Sequence, residues 1–314
     1  MKKSLSILSI LSIVFVNNIF ARADTLYIND TGVTVDKGNA VYYRIALKTD
    51  SNLYEFREYF LNHKLKKIFH SISPYATVLE GIYMEYDAAG GVAMQGYYSK
   101  GYRTAEWNYY FSGSKGKKEK HVYSSEHEYY LYRYDSLSQK VESEGAIDKY
   151  GKRTGAWKQY HFNSDSVKML SNYIIGKKEG EQLEYYKDGK IKRREIFQNN
   201  KLQKGELYDE TGKRIKYFPA FVYPQYREYV SNYLYRTELC TADALKKMDF
   251  QVSIVISKEG EVQDAFVKNV ENDECAKKIK SALLKMKKWK PALWENKPVK
   301  YTFETAIKLY VPRE

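Results

Sequence analysis

The chain has 314 residues, length for about two domains. It carries 52 Lys and Arg against 39 Asp and Glu, a formal charge of +13, and holds 32 Tyr against 6 Pro. Only one long apolar stretch occurs, at the N-terminus, so a multi-spanning helical membrane protein is excluded and the rest of the chain is expected to be soluble.

Residues 1–23 read as a secretory signal peptide. Lys2 and Lys3 form a basic start, an apolar run extends from Leu5 to Phe20, and Ala21-Arg22-Ala23 supplies a small-x-small cleavage pattern before Asp24. The alternative is an uncleaved inner-membrane anchor made by residues 5–20. Asn17 and Asn18 near its end, and a core shorter than the ~20 residues that cross a bilayer, argue for cleavage. The expected location is the periplasm or another exported compartment. Without Lys2, Lys3 and Arg22 the charge becomes 13 − 3 = +10. Such a surface is a solvated Lys-rich face, or one that meets anionic envelope components peripherally. The export signal removes nucleic acid from the expected partners.

The middle of the chain repeats. Gly81-Ile-Tyr83, Ala105-Glu-Trp107, Gly155-Ala-Trp157, Gly180-Glu-Gln-Leu183 and Gly205-Glu-Leu207 begin at steps of 24, 50, 25 and 25 residues. The 50 implies a degenerate copy near Tyr130-Leu-Tyr132-Arg-Tyr134. A second register of Tyr98, Tyr123, Tyr173 and Phe197 repeats at 25, 50 and 24, with its missing member near Ile147. A period of this size signals stacked supersecondary units. Within a unit, Asp188-Gly189 separates two aromatic-rich runs, and Tyr150-Gly151-Lys152 and Thr211-Gly212-Lys213 sit equivalently. Gly there accepts the positive φ of a hairpin turn. Residues 24–50 read as further strand. One hairpin cannot bury a face alone, so neighbours must stack.

With its Gly-x-Trp-x-x-Tyr and Tyr-x-x-Gly-Lys elements, the segment from about residue 54 to residue 217 resembles MORN repeats, in the variant form found in bacteria. The resemblance implies a single-layer sheet used for protein or lipid contact rather than for catalysis. Each repeated Tyr or Trp is then expected to pack between hairpins.

After Lys216, Phe218-Pro219 to Tyr223-Pro224 reads as a linker. Residues 225–236 and 242–248 are expected to be helical. Phe250, Val252, Ile254 and Ile256 alternate as a strand, Lys258-Glu-Gly260 is a turn, and Val262 to Val267 returns. A helix is expected over Asp273–Lys288, with Ala276, Ile279, Leu283 and Met286 as its buried stripe and its lysines completing the helix dipole. Tyr301, Phe303, Thr305, Ile307 and Leu309 share one face of a last strand.

Residues 221–310 resemble the TonB C-terminal domain. The resemblance rests on Gly260 in the strand turn, Trp289-Lys-Pro291-Ala292, Lys297-Pro298-Val299 and the strand that follows. Asn296 stands where that family has Gly, and Asn tolerates the left-handed region. The resemblance implies a small sheet on helices with its final strand near an edge. Tyr301, Thr302, Phe303, Glu304 and Thr305 are therefore the expected partner-binding strand. Gly260, Trp289, Pro291, Lys297 and Pro298 are expected to be structural.

His63, His70, His121, His127 and His161 form no metal-ligand spacing, and His121 and His127 read as surface residues. No nucleophile elbow, P-loop or dinucleotide fingerprint occurs. No catalytic residue, cofactor or metal is expected. Cys240 and Cys275 are the only cysteines; in an exported chain they suggest one disulfide, the alternative being two buried thiols. The fold expected is a mainly β array of stacked hairpins over residues 24–217, plus a small α+β domain over residues 218–314. The function expected is non-enzymatic protein–protein interaction in the cell envelope, possible partners being an outer-membrane transporter or a second copy of the chain. The alternatives are an anchored energy-transduction component and an envelope hydrolase.

Overall fold

The computed structural model describes residues 25–49, 51–235, 237, 249–270 and 273–308. The chain divides into two compact units, residues 1–203 and 204–314. Sixteen strands form one antiparallel sheet, each beside its neighbours in sequence. The first eight are β1 (Thr25–Ile28), β2 (Tyr42–Lys48), β3 (Tyr54–Phe60), β4 (Leu65–Ser71), β5 (Leu79–Tyr86), β6 (Val92–Ser99), β7 (Tyr102–Tyr110) and β8 (Lys117–Tyr123). The others are β9 (Tyr129–Tyr134), β10 (Val141–Ile147), β11 (Arg153–Tyr160), β12 (Val167–Ile174), β13 (Lys177–Tyr185), β14 (Ile191–Gln198), β15 (Lys201–Tyr208) and β16 (Arg214–Ile215). The expected hairpin array is present, and residues 25–48 enter it as β1 and β2.

Two kinds of turn join the strands. Gly151, Gly189 and Gly212, at φ +70°, +85° and +90°, each donate a backbone hydrogen bond to the carbonyl three residues back. These are the turns marked by Gly-Lys in the sequence. The other kind is a two-residue turn with both φ positive, at Lys100–Gly101, Ile175–Gly176 and Asn199–Asn200. That geometry matches the twist of the flanking strands. Ile175 is β-branched at φ +48°, a conformation that costs roughly 1–2 kcal/mol.

The lead positions of the repeat have a backbone cause. Gly81, Ala105, Gly155 and Gly180 all have positive φ, between +53° and +92°. Each lies close to a point where the register of its ladder to the preceding strand shifts. The degenerate copy has Tyr130 at this position; Tyr130 has no positive φ, and the β8–β9 ladder runs without irregularity. Gly205 serves a different need: a Cβ there would lie 2.2 Å from the Tyr217 ring.

Pairing aligns one residue per strand into a row across one face. The row runs Ala46, Phe56, Phe69, Tyr83, Gly96, then Trp107, His121, Leu131, Gly145, Trp157, and finally Ser171, Gln182, Glu195. Gly96 joins through contact, since a Cβ on it would stand 2.3 Å from the Trp107 ring. Gly145 meets Trp157 at the same 2.3 Å. Each indole therefore lies flat over a glycine on the preceding strand. Its Nε1 donates to a backbone carbonyl there, Tyr97 for Trp107 and Ala146 for Trp157, both at 3.0 Å. Arg103 and Arg153 cover the two rings from above, at 4.3 and 4.4 Å.

Side chains on both sides seal this row. On one side stand Tyr98, Tyr123, Ile147, Tyr173 and Phe197, the second register of the sequence, with Ile147 filling the gap. On the other side charges alternate across strands: Arg44 binds Glu58 at 2.6 Å, and Lys67 lies 3.9 Å from Glu58 and 3.8 Å from Glu85. Cross-strand pairs of opposite charge each contribute roughly 0.2–1 kcal/mol.

His121 is buried, not on the surface as its sequence context suggested. It lies opposite Trp107, stacks on Tyr129 at 4.3 Å, and shares a 3.0 Å hydrogen bond between Nε2 and Glu119. Its Nδ1 is buried without a partner.

The second unit continues with β17 (Phe221–Val222), α1 (Val230–Tyr235), β18 (Asp249–Ile256), β19 (Val262–Lys268) and α2 (Asp273–Leu284), then β20 (Ala292–Trp294), β21 (Lys297–Val299) and β22 (Tyr301–Lys308). They form two small sheets, ordered β17-β20-β21 and β19-β18-β22. Phe250, Val252, Ile254 and Ile256 of β18 pack against Ile279 and Leu283 of α2 in one core. Among the described residues no helix is long and apolar enough to cross a membrane.

Several boundaries differ from the sequence reading. The supposed linker contains β17, which pairs with β20. The helix expected over residues 225–236 begins only at Val230, because Gln225 exchanges backbone hydrogen bonds of 3.0 and 2.8 Å with Lys290. The helix expected to reach Lys288 ends at Leu284, where Lys285 and Met286 donate three residues back and tighten its last turn. Lys285, Lys287 and Lys288 therefore follow the helix. Cys275 and Ala282 join the buried stripe, and Ala276 is half-buried. The expected helix over residues 242–248 lies outside the described residues.

Two measurements test this packing. Gly96→Ala should destabilise the sheet by about 3 kcal/mol or more, since the Trp107 ring cannot retreat past Arg103. Ala105→Gly should stabilise it by about 0.5–1 kcal/mol by relieving the positive φ. Urea denaturation of both variants reads the two signs. The second measurement concerns His121. Burial, the largest effect, pushes its imidazole below the ordinary 6.5, outweighing the Glu119 hydrogen bond. The unfolded chain then binds the proton more readily than the folded one. Stability should fall as pH drops below about 6.5, and His121→Phe should flatten that part of the pH–stability curve.

Candidate functional site

The site is built on the edge of the β19-β18-β22 sheet. β18 is central and buried, and β22 pairs with it from Tyr301↔Ile256 to Lys308↔Asp249. Among the described residues β22 is thus an end strand, with β18 as its only sheet neighbour. Side chains alternate along it: Tyr301, Phe303 and Thr305 are half-buried, Ile307 is buried, and Thr302, Glu304 and Ala306 are exposed. The five residues expected to bind a partner lie along this edge. Glu304 accepts a 3.1 Å hydrogen bond from Ser253.

A corner next to the strand is held by Gly260 and Trp289. Gly260 has φ +88°, and a Cβ on it would stand 2.1 Å from the Trp289 carbonyl oxygen. The Trp289 amide donates to the Gly260 carbonyl at 2.8 Å. No other residue fits that close approach. The Trp289 ring is buried and packs on Tyr226 at 4.9 Å and on Phe303 at 5.3 Å. Pro291 follows, half-buried, where the chain turns into β20. Lys297 and Pro298 are exposed, paired with Trp294 and Leu293. Glu295 and Asn296 form the turn between β20 and β21, with φ +47° and +60°.

Beside this corner lies a cavity of about 240 Å³, lined by Tyr226, Glu228, Val230, Trp289, Phe303 and Thr305 among others. Two of the lining residues also hold a polar atom that is buried away from solvent without a hydrogen-bond partner, the Tyr226 hydroxyl and the Trp289 Nε1. Sequence reading placed Tyr226 on a helix and saw Trp289 only as a structural corner. The one local signal was Pro224, which disfavours helix in the residue before it.

The hairpin sheet offers shallower features. One basin is lined by Tyr98, Tyr102, Arg103, Tyr123, His127 and Lys149. Its Arg103 is already committed to the Tyr109 hydroxyl at 2.6 Å and to the Trp107 ring. Among the described residues no group of three His, Cys, Asp or Glu side chains could hold a metal ion. Cys275 is buried at the start of α2, and Cys240, its expected partner, lies outside the described residues.

No protein-family model matches the chain. No curated protein matches it either.

Proposed function

We propose that this chain is an exported cell-envelope protein that works by binding other proteins, and that it does so by strand addition along β22. The observation that carries this reading is the position of β22 at the end of its sheet, next to a cavity. An end strand holds backbone donors and acceptors that an extended segment can pair with. The likeness of residues 221–310 to the TonB C-terminal domain supports the same reading, and that of residues 54–217 to MORN repeats supports a contact role for the hairpin sheet. The partner is an extended segment of an envelope protein, with self-association through the same edge as the competing outcome.

The edge is tested by a binding titration against envelope extract fractions, with circular dichroism to confirm folding. A proline at Thr302 or Glu304 removes a backbone donor from the strand. A folded proline variant should lose at least about tenfold in affinity, about 1.4 kcal/mol, whereas Thr302→Ala should bind like the parent. A folded proline variant that binds as tightly as the parent rejects the edge and makes the hairpin sheet the contact surface.

Export carries its own test. We place the mature start at Asp24 and a disulfide between Cys240 and Cys275, closing a loop of about 35 residues worth a few kcal/mol. Non-reducing mass spectrometry of protein from the exported compartment should find Asp24 first and both sulfurs oxidised. Recovery of Met1 on membrane-bound material would favour the anchored form instead.

A further inference from the structure

The small sheet β17-β20-β21 turns one aromatic face to solvent. Phe221 pairs with Trp294, and Trp294 with Lys297, so these three side chains share a face. The Gln225–Lys290 bridge continues the same register and adds Tyr223 and Lys290 to that face. The rings touch: Phe221 lies 4.9 Å from Tyr223, 6.2 Å from Trp294 and 5.3 Å from Tyr301. Yet Trp294 is 56% exposed and Tyr223 65%, whereas Trp107, Trp157 and Trp289 are all buried. Lysines stand around the rings. Lys290, Lys297 and Lys300 are exposed, and among the described residues none of them is in an ion pair. Lysines on the hairpin sheet behave otherwise: Lys158 meets Glu144 at 3.3 Å and Lys192 meets Glu184 at 3.1 Å. Between Lys290 and Tyr301 the only acid is Glu295, half-buried in the β20–β21 turn.

Such a face fits a partner that is anionic at its surface and apolar just beneath. Trp and Tyr each carry an apolar body and a polar tip, which suits the level of lipid headgroups. Lys can lay its stem along apolar surface while its ammonium reaches a phosphate. An acidic protein answers the charge but not the size. Three strands of two or three residues span roughly 10 Å by 10 Å of backbone. A protein partner of standard size covers ~800 Å² on each side. A bilayer imposes no such minimum, because each ring and each lysine that reaches it adds its own share. We propose that this face docks on an anionic phospholipid surface, with Trp294 and Tyr223 at headgroup level and Lys290, Lys297 and Lys300 against the phosphates. It is a second contact surface of the second unit and does not rest on strand addition along β22.

The test uses the exported chain from Asp24, so that residues 5–20 cannot hold it on a membrane. It is titrated with vesicles of phosphatidylcholine alone or mixed with phosphatidylglycerol, and binding is read by flotation and by tryptophan emission. Trp294 is the one exposed tryptophan, so its emission should shift to the blue on the mixed vesicles. Binding to them should be at least about tenfold tighter than to phosphatidylcholine and should weaken as salt rises. Lys290→Glu together with Lys297→Glu should cost at least about tenfold in affinity. Trp294→Ala should weaken binding and abolish the blue shift. All three side chains are exposed, and circular dichroism confirms that the variants fold. Equal binding to both kinds of vesicle overturns the proposal. So do folded variants that bind as tightly as the parent, which would move the lipid contact to another surface. Vesicles that leave the emission unmoved also overturn it, and a shift caused instead by soluble poly-glutamate would assign the face to an acidic polypeptide. Strand addition stands or falls separately, by the proline variants of β22.

Discussion

Two tryptophans laid over two glycines set the packing of the hairpin sheet. A row of side chains crossing an antiparallel sheet has to be covered by side chains of the same face, because ladder neighbours stand only about 5 Å apart. An indole that lies flat across the neighbouring strand needs a residue there with no side chain. Gly96 and Gly145 provide that space, and Trp107 and Trp157 fill it at 0% and 3% exposure. Truncating such a ring in a core typically costs about 3–5 kcal/mol, far more than any one charge pair on the sheet. The arginines over the rings and the phenols beside them complete the cover, so the rest of the aromatic composition follows from the need to seal one row.

The same arrangement explains the period. Each unit needs a residue with positive φ where its ladder shifts register, and such a residue is cheapest as glycine. Gly81, Gly155 and Gly180 meet that need, and Ala105 meets it at a cost. Where Tyr130 takes the place, the ladder keeps its register, and the unit survives by sequence neighbours alone. Its loss as a sequence motif is the loss of one bulge, not of a hairpin.

What could be read from the sequence divides along local and distant causes. Turns at Gly151, Gly189 and Gly212 were legible, since φ is a property of one residue and its neighbours. The alternation of Phe250, Val252, Ile254 and Ile256 was legible because a central strand writes its burial into its own sequence. His121 was not. Its burial depends on Trp107, Leu131 and Tyr129 across two ladders, and nothing within a few residues of it reports them. The start of α1 failed for a similar reason: Gln225 bonds to Lys290, 65 residues away, and that pairing outweighs the local helical pattern. The arginines four residues ahead of each tryptophan were visible in the sequence, but their value appears only once the ring beneath them is in place.

Distant causes also separate the two units in what they can do. Within the hairpin sheet, polar groups in the central row tend to satisfy one another: Ser171 donates to Gln182 at 3.0 Å, and Gln182 to Glu195 at 2.9 Å. Two buried atoms without a hydrogen-bond partner there, His121 Nδ1 and Asn108 Oδ1, belong to residues that do not line the basin at Arg103. In the second unit the Tyr226 hydroxyl and the Trp289 Nε1 belong to residues that line a cavity, beside a strand with one free edge. Each unanswered buried donor costs a fold roughly 1–3 kcal/mol. Under the strand-addition proposal, recognition falls to the β22 edge, whereas the central row of the hairpin sheet is largely satisfied within itself.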